Sequence, residues 1–84
     1  MLIARQRVYV RGAVQGVGFR PTVFRIAREL GLQGWVINSP RGVEIDLEGP
    51  EDALSRFVPA LLEHKPPRAI IQGLETKRLD PCGY

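Results

Sequence analysis

Between Gly12 and Pro21 the chain reads Gly-Ala-Val-Gln-Gly-Val-Gly-Phe-Arg-Pro, three glycines followed by an arginine. Glycine lets backbone N–H groups approach a ligand closely and turn inward together, and a helix starting at the same spot adds partial positive charge. Arg20 supplies a fixed, bidentate cation for phosphate or carboxylate. The stretch therefore reads as an anion cradle, with a tight turn bearing a surface arginine as the plainer alternative. Neither nucleotide motif fits it. A dinucleotide fingerprint through Gly16 and Gly18 would need a third glycine where Pro21 stands, and a Walker A loop from Gly12 would need glycine and then lysine where Val17 and Gly18 stand.

Little else in the chain offers chemistry. His64, beside Lys65 at the end of a helical stretch, reads as a partner for a helix C-terminus. Cys82 has no second cysteine or histidine at metal-ligand spacing and reads as a free thiol. Glu44, Asp46 and Glu48 alternate with apolar residues, so they read as the solvated face of a strand and not as acid/base machinery. Trp35 and Phe24 read as packing residues.

The elements that would position the cradle follow from periodicity. Arg5 to Gly12 alternates, with Val8 and Val10 on one face and Arg7, Tyr9 and Arg11 on the other, as in a half-buried strand. From Pro21 to Leu30 the apolar residues Val23, Ile26, Ala27 and Leu30 recur at helical spacing; Pro21 suits a first turn and Gly31 a stop. Gly34–Ser39 and Val43–Glu48 form a hairpin across Pro40-Arg-Gly42. Pro50-Glu-Asp52 opens a second helix with the stripe Leu54, Phe57, Val58, Leu61 and Leu62, which ends at Lys65-Pro-Pro67. Pro59 lies inside that stripe and predicts a kink or break near Val58. Ala69 to Arg78 is the last strand, and Asp80-Pro-Cys-Gly-Tyr84 reads as a loose tail or linker.

The order β-α-β-β-α-β is a split βαβ arrangement. It implies an α+β, ferredoxin-like βαββαβ sandwich, a four-stranded antiparallel sheet with two helices on one face. Right-handed crossovers would bring the first and last strands to neighbouring central positions. A chain of 84 residues buries only about 60–65% of its unfolded surface, enough for a single domain. No apolar run approaches the ~20 residues of a membrane helix. The start lacks a secretion signal and the single cysteine cannot pair internally, so a reducing cytoplasm is the simplest compartment. The net charge of +3 is scattered, without the basic stripe and aromatic platforms of a nucleic-acid binder. It suits small anions equally well.

Two separated motifs, Val14-Gln-Gly-Val-Gly-Phe-Arg20 in the first βα loop and Gly34-Trp-Val-Ile-Asn38 in the second strand, resemble the acylphosphatase family. Gly49-Pro-Glu-Asp52 before the second helix is similar to it again. The resemblance covers nearly the whole chain and implies phosphate binding by Gln15, Gly16, Val17, Gly18, Phe19 and Arg20, with Arg20 and Asn38 catalytic. A narrower likeness lies in Phe19-Arg-Pro21 and Pro66-Pro-Arg-Ala-Ile70, which are more similar to the N-terminal acylphosphatase domain of the hydrogenase maturation carbamoyltransferases, the HypF proteins. That implies a fragment of a longer polypeptide, with further domains as its partners and carbamoyl phosphate as its substrate. A stand-alone acylphosphatase and a non-catalytic anion-binding module are the alternatives. Pro59 and the end at Tyr84 depart from the family pattern.

The resemblance also implies a reaction. An acyl phosphate loses a carboxylate whose conjugate acid has a pKa of about 4, so the group leaves without a proton donor. Positioning and charge stabilisation are the remaining tasks. Backbone N–H groups and Arg20 would hold the phosphoryl oxygens while Asn38 orients water, and no metal or organic cofactor is needed.

Overall fold

The computed structural model describes residues 2–84. Strand β1 (Ile3–Ala13) leads through the glycine loop into helix α1 (Phe19–Glu29), and β2 (Gln33–Ser39) and β3 (Gly42–Pro50) form the hairpin. Two short helices, α2 (Glu51–Ser55) and α3 (Phe57–His64), precede β4 (Ile70–Leu79). All strand pairs are antiparallel and the sheet order is β2-β3-β1-β4. The first and last strands are neighbours as the sequence implied, but only β1 is central. Each crossover steps over one strand: α1 passes over the place that β3 fills, and α2 with α3 passes over β1. The central pair is therefore β1 and β3, and β4 is an edge.

The helical layer covers one sheet face because alternate residues there are apolar. Val8, Val10, Ile45 and Leu47 from the central strands meet Phe19, Val23, Ile26 and Ala27 from α1 and Leu54, Phe57 and Leu61 from α2 and α3, all of them buried. Helix α1 begins two residues earlier than periodicity suggested, since buried Phe19 already belongs to its apolar side. Phe24, read as a packing residue, is 55% exposed; it projects between the buried turns of α1. Leu62 and Ile70 are exposed as well, at the ends of their apolar runs.

The second helix does break close to Val58, with Arg56 as the interrupting residue. An uninterrupted helix would need an N–H from residue 59 for the Ser55 carbonyl, and proline has none. The chain instead ends α2 at Ser55 and restarts at Phe57. Pro59 then falls in the first turn of α3, where a missing N–H costs nothing.

The opposite sheet face overturns a second expectation. Asp46 and Glu48 are not solvated: their exposures are 0% and 8%. Arg5 donates to both Asp46 oxygens, through Nε at 2.9 Å and Nη2 at 3.1 Å, and Arg7 Nε donates to Oδ2 at 2.9 Å. The segment after β4 is not loose either, for it folds back over these carboxylates. Tyr84 donates its hydroxyl to Asp46 Oδ1 at 2.6 Å, and the backbone N–H groups of Cys82, Gly83 and Tyr84 all donate to the Glu48 carboxylate. Burial opposes ionisation of Asp46, yet the bonds from Arg5, Tyr84 and Arg7 outweigh it and hold its pKa below the ordinary value. Glu48 is likewise opposed by burial and held low by the three tail N–H groups. Trp35 packs on this face, its ring centroid 5.1 Å from the Arg7 guanidinium carbon.

Candidate active site

Apolar anchors on either side shape the loop between β1 and α1. Val14 and Phe19 are each 1% exposed and Val17 packs against the core, so these side chains turn inward while the intervening backbone stays at the surface. Gly16 and Gly18 make this possible with φ values of 73° and 82°, the left-handed region that costs other residues about 1–2 kcal/mol. A further bend is set one step earlier, where β1 and β4 slip register between Arg11 and Gly12.

The result is a concave backbone with spare donors. Among the described residues helix α1 has no side-chain cap, and no acceptor takes the N–H groups of Gln15 through Arg20. The first helical bond comes from Thr22, whose N–H and hydroxyl both donate to the Gly18 carbonyl, at 3.3 and 3.0 Å. Pro21 has no N–H to satisfy. Unpaired amides at the start of an 11-residue helix present the positive end of its dipole.

Beside these donors is a cavity of about 170 Å³, walled by residues 14–16 and 18–21 together with Asn38. The structure thus brings Gln15, Gly16, Gly18, Phe19, Arg20 and Asn38 of the anticipated set to one place. Val17 differs, because its side chain is spent on packing, leaving only its backbone N–H. Arg20 is exposed and, among the described residues, forms no ion pair, whereas Arg5, Arg7, Arg11, Arg56 and Arg78 each face a carboxylate. Asn38 stands next to last on β2, paired across the hairpin with Val43.

One feature escaped sequence reasoning. Gln15 was anticipated through its backbone, yet its side chain also reaches across to the hairpin, donating from Nε2 to the carbonyls of Ser39 at 2.7 Å and Gly42 at 2.9 Å. Nothing in the local sequence distinguishes such a glutamine from a solvated one.

Two larger cavities, each about 310 Å³, suit an anion less well. One lies between α1 and β2, walled largely by apolar side chains such as Val23, Phe24 and Leu32. The other sets Arg11 and Arg41 against Glu44 and Glu75, whose carboxylates oppose a negative ligand.

Comparison with known proteins decides the family. The acylphosphatase family model matches residues 6–83. The chain belongs to the acylphosphatase family. An acylphosphatase from Archaeoglobus fulgidus is 46% identical over 78 residues, covering 92% of this chain and 86% of that protein. Carbamoyltransferase HypF2 from Cupriavidus necator is 49% identical over 74 residues, covering 88% of this chain but 9% of the relative. The chain thus spans about a tenth of the carbamoyltransferases it matches. A crystal structure of full-length HypF in its phosphate- and nucleotide-bound form superposes with a TM-score of 0.95 at 34% identity, covering 99% of this chain and 11% of that one. The acylphosphatase resemblance and its narrower HypF likeness both stand.

Proposed function

We propose that this acylphosphatase domain hydrolyses the carboxyl–phosphate bond of a small acyl phosphate, with carbamoyl phosphate as its substrate in the setting of a hydrogenase maturation carbamoyltransferase. The observation that carries this reading is the meeting of three things at one cavity: the loop of residues 15–20, whose N–H groups have no acceptor among the described residues, Arg20, which has no ion-pair partner among them, and Asn38. The phosphoryl oxygens accept from the loop amides, and the Arg20 guanidinium neutralises the charge that remains. Asn38 holds a water molecule in line with the departing oxygen. The water oxygen bonds to phosphorus as the bond from phosphorus to the acyl oxygen breaks. The bonding pair leaves with the carboxylate, and the water proton passes to solvent or phosphate. With carbamoyl phosphate the product is carbamate, available to a later domain of the same polypeptide.

Residues 1–84 form one acylphosphatase-like unit in this reading, located in the cytoplasm, with further domains as its partners. A stand-alone acylphosphatase is the second reading, favoured by the near-complete coverage of the Archaeoglobus fulgidus protein. Phosphate release from carbamoyl and benzoyl phosphate tests the activity. Arg20→Ala should lose phosphate binding and turnover together, and Asn38→Ala should keep phosphate binding and lose most turnover, leaving a small residual rate. Wild-type rates in both variants would discard the mechanism.

A further inference from the structure

The two halves of the cavity come from different parts of the chain, so something must fix their separation. The loop holding the anion follows β1, whereas Asn38 sits near the end of β2, an edge strand paired only with β3. The ladder between β2 and β3 closes at the pair Ser39 and Gly42, one residue beyond Asn38. An edge strand at the last rung of its ladder is where backbone pairing frays most easily. Yet both carbonyls of that last pair accept from one side chain, the Gln15 amide, at 2.7 and 2.9 Å. The amide has two N–H hydrogens, one for each carbonyl, and the reverse orientation would place its oxygen against two oxygens. A second tie runs nearby, from the Gly12 N–H to the Arg41 carbonyl at 3.1 Å. Freezing a long exposed side chain costs rotamer entropy, and here that restraint spans the cavity.

We propose that Gln15 is a positioning residue: its side-chain amide clamps the end of the β2–β3 hairpin to the anion loop and so sets the distance from Asn38 to the bound phosphoryl group. The proposal rests on the hydrolysis reading above, in which Asn38 acts on the attacking water. The clamp touches backbone alone and leaves the amides that hold phosphate untouched. Its loss therefore appears in the turnover step and not in anion binding.

Gln15→Met tests this, since it keeps the length and neutrality of the side chain and removes both donors. Its kcat with benzoyl phosphate should fall by about tenfold or more, as a small misplacement near reacting atoms does. Inhibition by inorganic phosphate should stay within about twofold, since the binding amides are unchanged. The decisive measurement is the double variant. In an Asn38→Ala background Gln15→Met should lower the residual rate no further, because it acts through Asn38. An equal fall in both backgrounds, or a parallel loss of phosphate binding, overturns the clamp. If the wild-type protein releases no phosphate, the hydrolysis reading fails by itself and NMR then judges the clamp. Gln15→Met must shift or broaden the Asn38 side-chain amide signals while leaving the Gly18 and Phe19 amides in place, and unchanged Asn38 signals overturn it.

Discussion

Replacing Asp46 by alanine should be among the most damaging single changes to stability, while leaving the chemistry alone. The carboxylate is fully buried and receives four side-chain hydrogen bonds, two from Arg5 and one each from Arg7 and Tyr84. Breaking a buried ion pair by removing one partner costs about 3–5 kcal/mol. The lower end applies, because Arg5 and Arg7 keep 18% and 27% side-chain exposure and can rehydrate. A loss of about 3 kcal/mol is a large share of the roughly 4–13 kcal/mol that a domain of 84 residues commands at 0.05–0.15 kcal/mol per residue. At roughly 4–8 °C per kcal/mol the melting temperature should fall by about 12–24 °C. Circular dichroism on heating at pH 7 reads the fall. None of the residues involved lines the anion cavity, so kcat measured well below the lowered Tm should match the wild type. A Tm within about 4 °C of the wild type would refute the energetic reasoning, and a folded but inactive variant would refute the separation of cluster from cavity.

Acid should release the same region. Asp46 and Glu48 have folded pKa values held below their ordinary values of 3.8 and 4.5, so their stabilisation is fully present above about pH 5 and is lost as pH falls through the lowered values; urea midpoints between pH 7 and pH 3 should decline toward acid, and a flat profile would contradict this. A Cβ on Gly12 would meet the Ile70 carbonyl and the Gln72 nitrogen, whereas one on Gly16 would meet nothing within 4 Å. Gly12→Ala should therefore unfold far more readily in urea than Gly16→Ala, which carries only the left-handed backbone cost of about 1–2 kcal/mol; equal losses would count against the packing at Gly12. Among the described residues the buried amide oxygen of Gln6 has no partner, so Gln6→Met should raise stability by about 1 kcal/mol in the same assay, and a decrease would mean that the oxygen is satisfied in solution.

The sequence makes legible whatever local rules decide. Glycines before an arginine mark a cradle, and alternation along Val43 to Leu47 marks a strand. Asn38 was legible only because a second motif accompanied the first. Misreadings came where distant segments meet. Asp46 and Glu48 alternate as a wet face should, and only the return of residues 80–84 across the sheet, with Arg5 and Arg7 beside them, takes them out of water. Pro59 announced a break, but its position depended on α3 restarting so that the proline lands in a first turn. The Gln15 clamp joins residues 24 and 27 positions apart, a distance no local pattern encodes.

Among the described residues strand β2 has one unpaired side, and from Gln33 to Ser39 it carries no charge. The other rim of the sheet, β4, is guarded by Glu75, Lys77 and Arg78. Unguarded main chain of this kind invites another extended chain to zip alongside. Because Asn38 rides on that ribbon, a strand zipped alongside would run directly past one wall of the anion cavity.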